Sequence, residues 1–556
     1  MMTVFPAPSP APLRRLANAV LAIWVAIACS LAGVAARADG PGVSADALKA
    51  RIEGSGVLAV GGITIDRTTL VAAYQPRGYE PLWASRPQLA PAFLKALAAA
   101  DREGLDPESF RLSVLKAALD DPTLPALDRE LLLSDRFLAY ASTLARGRLA
   151  PALVEDDWFL PQPDFDPALA LQRLSGGETV EVVLQSLLPS DPQYERLRKA
   201  LVRYQALADA GGWQPIVATD KIEPGAKGSV IPALRARLIA EGDLDPALRD
   251  GAVYNAPLVD AMKRFQARHG IYVDGRIGAN SLAALNVSAA DRVAQLRLAL
   301  ERLRTLPRSY PATRIMVNVP AASLVLYRDN VAVLASKVVV GATDHPTPVL
   351  SARVVSVLFN PPWNVPTSII RKEMQPELIR DPNYFVEHHY VLLGRAEGAD
   401  PYGRDLNWRR TDIPGRGWRV QQEPGPWNAL GGLKLELPNP EDIYLHDTPA
   451  RGLFAKANRA ASHGCIRVEQ ARMLASTLLG ADWPPNAIDD EIATGETKRV
   501  YLKQSVPVFI IYLSAFVDDD GTIELRDDLY GRDRRLSQAL STLQAAIEAP
   551  PGDKHG

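Results

Sequence analysis

The sequence predicts a multidomain α+β protein, in which helical domains precede a mainly antiparallel β domain that carries an insertion. Its 556 residues suffice for three or four domains of ordinary size. Apolar residues recur at intervals of three and four in the first half of the chain, and then change to alternation. A hydrophobic fraction of 47% with 23% charged residues excludes global disorder and a polytopic membrane protein. The net charge of −2 argues against nucleic-acid binding, which favours a basic face.

The first 38 residues are predicted to be an export signal peptide. Two arginines precede an apolar stretch at 16–36, and residues 36–38 have the A-x-A pattern of a cleavage site. We therefore expect a periplasmic protein. The stretch is also long enough for an uncleaved signal to hold the chain at the inner membrane. Because Cys29 lies in this stretch, the mature chain would keep one cysteine, Cys465.

Two helical units are predicted ahead of the β domain. Residues 45–205 carry apolar residues at helical spacing without a reactive group, and we expect a helical scaffold domain. Residues 213–288 predict three short helices, with a tight turn at Asp274-Gly275. Through this turn and Asp243-Leu244, the second unit resembles the three-helix peptidoglycan-binding domain of many wall enzymes. The resemblance implies binding to the wall; the alternative is a generic helical spacer.

Alternation of apolar residues predicts the β domain at 313–514. The predicted strands lie at 315–319, 331–340, 354–359, 443–445 and 506–513. Residues 369–418 interrupt this pattern with a helix-like segment and a polar, Gly- and Arg-rich stretch, which predicts an inserted cap over the sheet. Residues 515–556 are predicted to be a dispensable C-terminal tail.

Cys465 is the candidate nucleophile. A thiol reacts as the thiolate, so it needs a base or a cation beside it. His446 and His463 lie within twenty residues upstream. If the chain is extended around the cysteine, His463, Cys465 and Arg467 share one face, and Gly464 would expose amide groups as an oxyanion hole. The spacing alone leaves open which histidine is the base.

The complete motif is more specific than its parts. Fifteen residues separate His446 from Ser-His-Gly-Cys at 462–465. Together with NPPWNVPTSI at 360–369 and QEPGPWNALGGLKLELPNP at 422–440, it resembles the large multidomain L,D-transpeptidases of Gram-negative bacteria, which have a YkuD-type catalytic domain. Many members have Asn two residues after the cysteine, whereas this chain has Arg467. The large proteobacterial branch is similar to this chain in having Arg at that position.

The resemblance implies a role for each residue of the motif. Cys465 would be the nucleophile, and His446 the general base, oriented by a backbone carbonyl such as that of Asp447. His463 and Gly464, with the Cys465 amide, would line the oxyanion hole. His463 is the alternative base.

The substrate-binding residues are also assigned by resemblance. Arg467 would hold the site together or bind a substrate carboxylate; a plain salt bridge is the alternative. Trp427, Asn428 and Gly431 would shape the donor groove beneath the cap. Ser462 and Asp447 complete the predicted substrate-binding set.

The implied reaction is acyl transfer without a cofactor. The thiolate would attack the donor tetrapeptide stem, release D-Ala and form a thioacyl-enzyme, which an amine of an acceptor stem would resolve as a 3→3 cross-link. Carbapenem-type inhibitors are expected to acylate the same thiol. Two alternatives stay open: an L,D-carboxypeptidase or endopeptidase that uses the same cysteine, and a non-catalytic peptidoglycan-binding scaffold.

A metal site is not expected. The adjacent His388 and His389 would point to opposite faces of a strand, and the sequence has neither HExxH nor CxxC spacing.

Overall fold

The computed structural model describes residues 43–218 and 220–548, so the predicted signal peptide at 1–38 lies outside the described residues. The described part contains separate hydrophobic cores for the scaffold, the small helical unit, the β domain and the insertion. Among the helices in these ranges, none is both long enough and apolar enough to cross a bilayer.

The scaffold is helical, as predicted. It contains helices α1 to α7 and a two-stranded ribbon of β1 (Ala59–Val60) and β2 (Ile63–Thr64). The helices are Ala45–Glu53, Arg67–Tyr74, Leu89–Ala98, Leu112–Asp120, Ala126–Arg146, Pro167–Ser175 and Val180–Gln185. Several begin at a side chain that accepts an amide hydrogen bond, such as Ser44 before α1 and Asp66 before α2.

The next helix, α8 (Pro192–Asp209), extends past residue 205, where the scaffold domain is predicted to end. Its buried residues, including Tyr194, Leu197 and Tyr204, belong to the core of the β domain. The scaffold core ends earlier, at Leu184. Helical periodicity could not reveal this division, because it identifies the apolar face of a helix but not the partner of that face.

The small unit has the three predicted helices, α9 (Val230–Glu241), α10 (Ala256–Arg268) and α11 (Ala279–Leu285). Its core extends from Ile216 to Leu285. The predicted turn is present, because Gly275 has φ +72° and a Cβ there would lie 2.7 Å from Val259 Cγ1. Only glycine satisfies both conditions without strain.

Helix α12 (Ala289–Thr305) leads into the β domain. The strands that follow are β3 to β14: Arg314–Asn318, Ser323–Arg328, Val331–Gly341, Leu350–Phe359, Trp363–Asn364, Tyr390–Leu393, Arg419–Gln422, Leu433–Glu436, Leu445–His446, Ala460–Ser462, Ile466–Val468 and Lys498–Ile511. The helices of this part are α13 to α17: Thr367–Ile369, Gln375–Arg380, Tyr384–Glu387, Ala471–Leu479 and Pro485–Ala493.

The main sheet runs in the order β12-β5-β13-β11-β10-β6-β14-β3-β4, and β4 also pairs with β5, which closes the sheet into a ring. The prediction of a mainly antiparallel sheet is confirmed. The parallel pairs are β11 with β13, β14 with β3, and β12 with β5. The first of these pairs carries the histidine of the motif on β11, and the cysteine directly precedes β13.

The insertion is a small unit with its own core. Strands β7, β9 and β8 form a separate three-stranded sheet, and one turn of π-helix, Ile370–Met374, joins α13 to α14. Because the first and last strands of this sheet lie at 363–364 and 419–422, the folded unit is wider than the predicted range 369–418.

The C-terminal segment, which is expected to be dispensable, is folded onto the rest of the protein. Residues after 514 form β15 (Ala515–Val517), β16 (Ile523–Leu525) and α18 (Arg532–Glu548). Leu525 and Leu536 are buried, and the Arg532 side chain is completely buried. The alternating acidic and basic composition suggested an exposed tail, but in the structure these charges form buried ion pairs.

Candidate active site

Cys465 lies in a bend between β12 and β13 and is partly exposed. The chain is not extended through this segment, because Gly464 has φ +106°. The condition under which His463, Cys465 and Arg467 would share one face is therefore not met, and the His463 side chain is directed by a different piece of backbone from the one that carries Cys465 and Arg467.

The bend is held by hydroxyl groups. The buried Ser462 donates from Oγ to the Cys465 carbonyl at 2.5 Å and accepts from the Gly464 amide at 3.2 Å. The buried Thr347 donates from Oγ1 to the Gly464 carbonyl at 2.7 Å. Ser462, predicted to contact substrate, instead fixes the loop, and the Gly464 amide is already engaged. The Cys465 amide is left as the candidate oxyanion donor.

Strand pairing places the histidine beside the cysteine. In the parallel pair β11–β13, Leu445 lies opposite Ile466 and His446 opposite Arg467. The same register puts Tyr444 level with Cys465. Because side chains alternate along a strand, Tyr444, His446 and Arg467 project from the face on which Cys465 leaves the bend.

His446 is oriented by the carbonyl predicted from the resemblance. Its Nδ1–H donates to the Asp447 carbonyl oxygen at 2.6 Å, which leaves Nε2 as the nitrogen that can accept a proton. Burial, followed by the charge of Arg467, lowers the pKa of His446 from 6.5 to about 3. The imidazole is therefore uncharged at neutral pH.

The thiol is also held in its neutral form. Burial raises the pKa of Cys465, and the Tyr444 amide, the Tyr444 hydroxyl and Lys434 oppose this effect. The sulfur lies 3.6 Å from the Asp442 carbonyl. We expected a base that raises the resting thiolate fraction, but both shifts favour a neutral thiol beside a neutral imidazole. The arrangement suits transfer of the proton during attack rather than before it.

Two cations flank the thiol, and neither lies within ion-pair distance of a carboxylate among the described residues. Arg467 is half-buried, its Nε is buried without a hydrogen bond, and it forms no ion pair. Lys434, on the neighbouring strand β10, lies with Nζ 3.9 Å from the centre of the Tyr444 ring. The salt-bridge alternative for Arg467 therefore fails within the described chain, and both positive charges are available to an anionic group.

The residues that are predicted to shape the donor groove lie in different environments. Asn428 is completely buried, and its side chain binds the backbone of residues 422, 423 and 430, so it can shape a groove only through the loop that it holds. Trp427 is 43% exposed and stacks on His389 of the insertion at 3.6 Å between ring centres. This contact ties the insertion to the main domain.

Gly431 and Asp447 line a cavity of about 870 Å³ with Arg451, Arg472 and Met473. Cys465 is not part of this lining. The buried Asp447 carboxylate accepts from the Gly432 amide at 3.3 Å and lies 3.4 Å from Arg451 Nη1. The Asp447 side chain therefore serves the local structure, whereas its backbone carbonyl serves His446.

His463 faces the insertion. Its Nε2–H donates to Glu373 Oε1 at 2.6 Å, and its ring lies 5.1 Å from that of His345. Glu373 belongs to the π-helical turn of the insertion. The arrangement of the described residues includes no group of three or more His, Cys, Asp or Glu side chains that could hold a metal ion.

Sequence reasoning missed Tyr444, Lys434 and Glu373. Tyr444 was accessible, because it precedes His446 by two residues on a strand and therefore shares its face. Lys434 needed the pairing of β10 with β11, which places it opposite His446. Nothing in the sequence around Glu373 predicts its contact with His463, because that contact depends on how the insertion folds back on the sheet.

Comparisons with known proteins agree with this architecture. Residues 312–508 match the L,D-transpeptidase catalytic domain, and residues 68–201 match a family described as a scaffold domain. A Haemophilus influenzae protein named "Putative L,D-transpeptidase" is 35% identical over 294 residues, which cover 52% of this chain and 58% of that protein. The match thus spans little more than half of that relative's length.

Solved L,D-transpeptidase structures are also similar. The one from Xylanimonas cellulosilytica is 16% identical and covers 54% of this chain and 100% of its own, with a TM-score of 0.18. The one from Stackebrandtia nassauensis is 13% identical and covers 54% and 97%, with a TM-score of 0.22. The family whose model matches residues 312–508 is thus the L,D-transpeptidase catalytic domain, and the match to a scaffold domain lies ahead of it in the chain.

Proposed function

We propose that this chain is a murein L,D-transpeptidase that forms 3→3 cross-links through a thioacyl-enzyme on Cys465. The observation that carries the proposal is a partly exposed thiol at the end of the strand that pairs with the strand of His446, a neutral, hydrogen-bonded histidine. Lys434 and Arg467 lie on the same paired strands, and neither forms an ion pair among the described residues, so both are available to the carboxylates of a stem peptide.

The acylation step follows from these positions. Sγ attacks the carbonyl carbon between the diamino acid and D-Ala of the donor stem, while the thiol proton moves to His446 Nε2. The developing oxyanion is met by the Cys465 amide and lies near Lys434. When the C–N bond breaks, the His446 imidazolium returns the proton to the leaving nitrogen of D-Ala, and a thioester is left on Cys465.

Two expectations accompany this proposal. Residues 213–288 would bind peptidoglycan and bring the catalytic domain to its polymeric substrate. Export to the periplasm, directed by residues 1–38, would place the enzyme beside the wall. Forming the cross-link through a thioester uses the energy of the donor bond, so the reaction needs no nucleotide there.

Intact-mass measurement tests the nucleophile. We expect the wild-type chain to gain the mass of one acyl group on incubation with a donor tetrapeptide, with release of D-Ala, and to gain one carbapenem mass with that inhibitor. Cys465→Ala should gain neither. In a full-length chain that keeps residues 1–38, Cys29→Ala is the matched control, because it removes the other cysteine of the sequence and should leave both adducts. An adduct on Cys465→Ala would overturn the assignment.

Product analysis separates transfer from hydrolysis. With donor and acceptor stems together, a transpeptidase gives the 3→3 dimer, whereas an L,D-carboxypeptidase gives the tripeptide whether or not the acceptor is present. A non-catalytic scaffold gives neither product, and its cellular role would survive the Cys465→Ala change.

A further inference from the structure

The two sides of the thiol differ in charge. Lys434 and Arg467 lie on the sheet beside it. On the side of the insertion lies a carboxylate–imidazole pair, Glu373 Oε1 and His463 Nε2, 2.6 Å apart. This pair is open to solvent, with 51% of the Glu373 side chain and 40% of the His463 side chain exposed.

The proposed reaction requires a group that binds the acceptor ammonium and takes a proton from it, and His446 is poorly placed for this task. The attacking amine of an acceptor stem is an ammonium at neutral pH, so it must be attracted and must lose a proton before it can attack. The charges of Lys434 and Arg467 lie beside His446 and repel a cation, and they outnumber the one carboxylate that acts on the thiol there, that of Asp442. The side of the insertion is therefore the more favourable approach for an ammonium.

We propose that Glu373 and His463 form the binding site for the primary ammonium of the acceptor, an inference that rests on the proposed transpeptidase function. The Glu373 carboxylate attracts the ammonium. Because His463 donates from Nε2 to Glu373, its Nδ1 is the atom that can accept a proton. The insertion thus contributes a substrate-binding carboxylate to the catalytic domain.

In the transfer step the acceptor nitrogen loses two protons, and each of them has a defined acceptor. The acceptor ammonium gives one proton to His463 Nδ1 and becomes a neutral amine. Its nitrogen attacks the thioester carbon, the C–N bond forms and the C–S bond breaks. The second proton leaves the nitrogen through His446 and ends on the departing sulfur of Cys465. The products are the amide cross-link, the free thiol and a protonated His463 that returns its proton to solvent.

The position of Glu373 supports this role. It lies in one turn of π-helix, a geometry that occurs often at functional sites because it displaces one side chain from the helical pattern. The His345 ring lies 5.1 Å from that of His463 and adds a second imidazole to the pair. The neighbouring Arg371 lies 3.8 Å from Asp412, and this carboxylate partly balances the charge of the arginine.

The test separates acylation from transfer. In Glu373→Gln the amide oxygen can still accept from His463, but the charge is lost. We expect thioester formation with the donor alone to be measurable by intact mass, and the KM for the acceptor amine to rise about tenfold, as expected for the loss of one charge-assisted hydrogen bond. Glu373→Asp, which keeps the charge, should recover part of the loss.

Two controls make the result specific. Glu377→Gln removes an exposed carboxylate of the same insertion, paired with Arg380, and should change neither step. Hydroxylamine, a small nucleophile that is uncharged at neutral pH, should capture the acyl-enzyme of Glu373→Gln as fast as that of the wild type.

Three outcomes would overturn the proposal: an unchanged acceptor KM in Glu373→Gln, an equal loss in Glu377→Gln, or an equal loss with hydroxylamine and with the amine acceptor. Failure of the proposed function itself is distinguishable, because the wild-type chain would then form no thioester at all.

Discussion

The charge state of His446 is decided by where the side chain lies. Burial and the nearby Arg467 lower its pKa to about 3, whereas an unfolded histidine titrates near ~6.5. Between these values the unfolded chain binds a proton that the folded chain does not bind. The folded state therefore loses stability as pH falls below ~6.5, by up to ~1.4 kcal/mol per pH unit.

This linkage predicts the behaviour of His446→Asn. Asn keeps a donor near the position of Nδ1 but cannot be protonated, so the variant should lack this acid-induced loss. We expect the variant to be less stable than the wild type at pH 7.5. This difference in unfolding free energy should be smaller at pH 5 by about 1 kcal/mol or more, because the variant takes up no proton at this position on unfolding. Urea unfolding at the two pH values measures it. A deficit of equal size at both would contradict the buried, uncharged state.

Individual site residues differ in how far the sequence revealed them. The roles of Cys465, His446 and the Asp447 carbonyl were implied by the resemblance of the whole motif, and the hydrogen bond from His446 to that carbonyl is present. Their spacing along the chain was not sufficient, because the pairing of β11 with β13 brings the two parts of the motif together. Asn428 was assigned to the groove by resemblance alone, and its side chain hydrogen-bonds to backbone groups of its own loop. A motif lists polar residues but does not tell which of them face solvent.

At the scale of elements, the end of β11 depends on a glycine. Gly431 has φ +63°, and a Cβ there would lie 2.7 Å from the Thr448 amide nitrogen and 2.8 Å from the Asp447 carbonyl carbon. Both atoms belong to the backbone that continues from His446. No side-chain rotation can relieve this contact, so the backbone itself would have to shift.

We therefore expect Gly431→Ala to destabilise the protein by about 2–4 kcal/mol, as the sum of a left-handed Ala and overpacking. It should also slow acylation, because the shifted strand end carries His446. Gly452→Ala is the matched control, since a Cβ at that exposed position has no neighbour within 4 Å and φ is not positive. Thermal melting and adduct formation measure the two effects; equal behaviour of the two variants would refute the argument.

Element prediction succeeded where one periodicity extended over many residues. The scaffold helices and the long strands β5, β6 and β14 followed from it. The short strand β13 and the bend before it did not, because three residues carry too little pattern and the φ of Gly464 is set by its tertiary contacts. The insertion boundaries were too narrow, since β7 and β9 read as loop until they are paired.

On the scale of the whole molecule, a buried ion network joins parts that are distant in sequence. Arg302 of α12 binds Glu155, which follows the scaffold helix α5, at 2.9 Å and Asp533 of the C-terminal helix α18 at 2.8 Å. The Arg532 side chain is completely buried and pairs with Asp157 and Glu155. Such groups are costly to bury singly, so each stabilises the fold only while its partners are in place.

Composition could not predict this network. A C-terminal stretch rich in Asp and Arg is usually solvated, and the expectation of a dispensable tail followed from that rule. The pairing of Arg302 with Asp533 spans 231 residues, so no local pattern reveals it. The tail is therefore predicted to be required for the stability of the region in which the scaffold and the β domain meet.

Two aspartates of the tail test this role, because each pairs with an arginine but in a different environment. Asp533 is buried and also accepts from Ser514, whereas the Asp519 side chain is 83% exposed and pairs with Arg196 at 2.9 Å. Removing one partner of a buried pair costs about 3–5 kcal/mol, whereas an exposed pair contributes about 0–1 kcal/mol. We expect Asp533→Ala to lower the melting temperature by several degrees and Asp519→Ala to leave it nearly unchanged. If the two substitutions lower it equally, the tail is a peripheral segment after all, and Arg302 is stabilised by Glu155 alone.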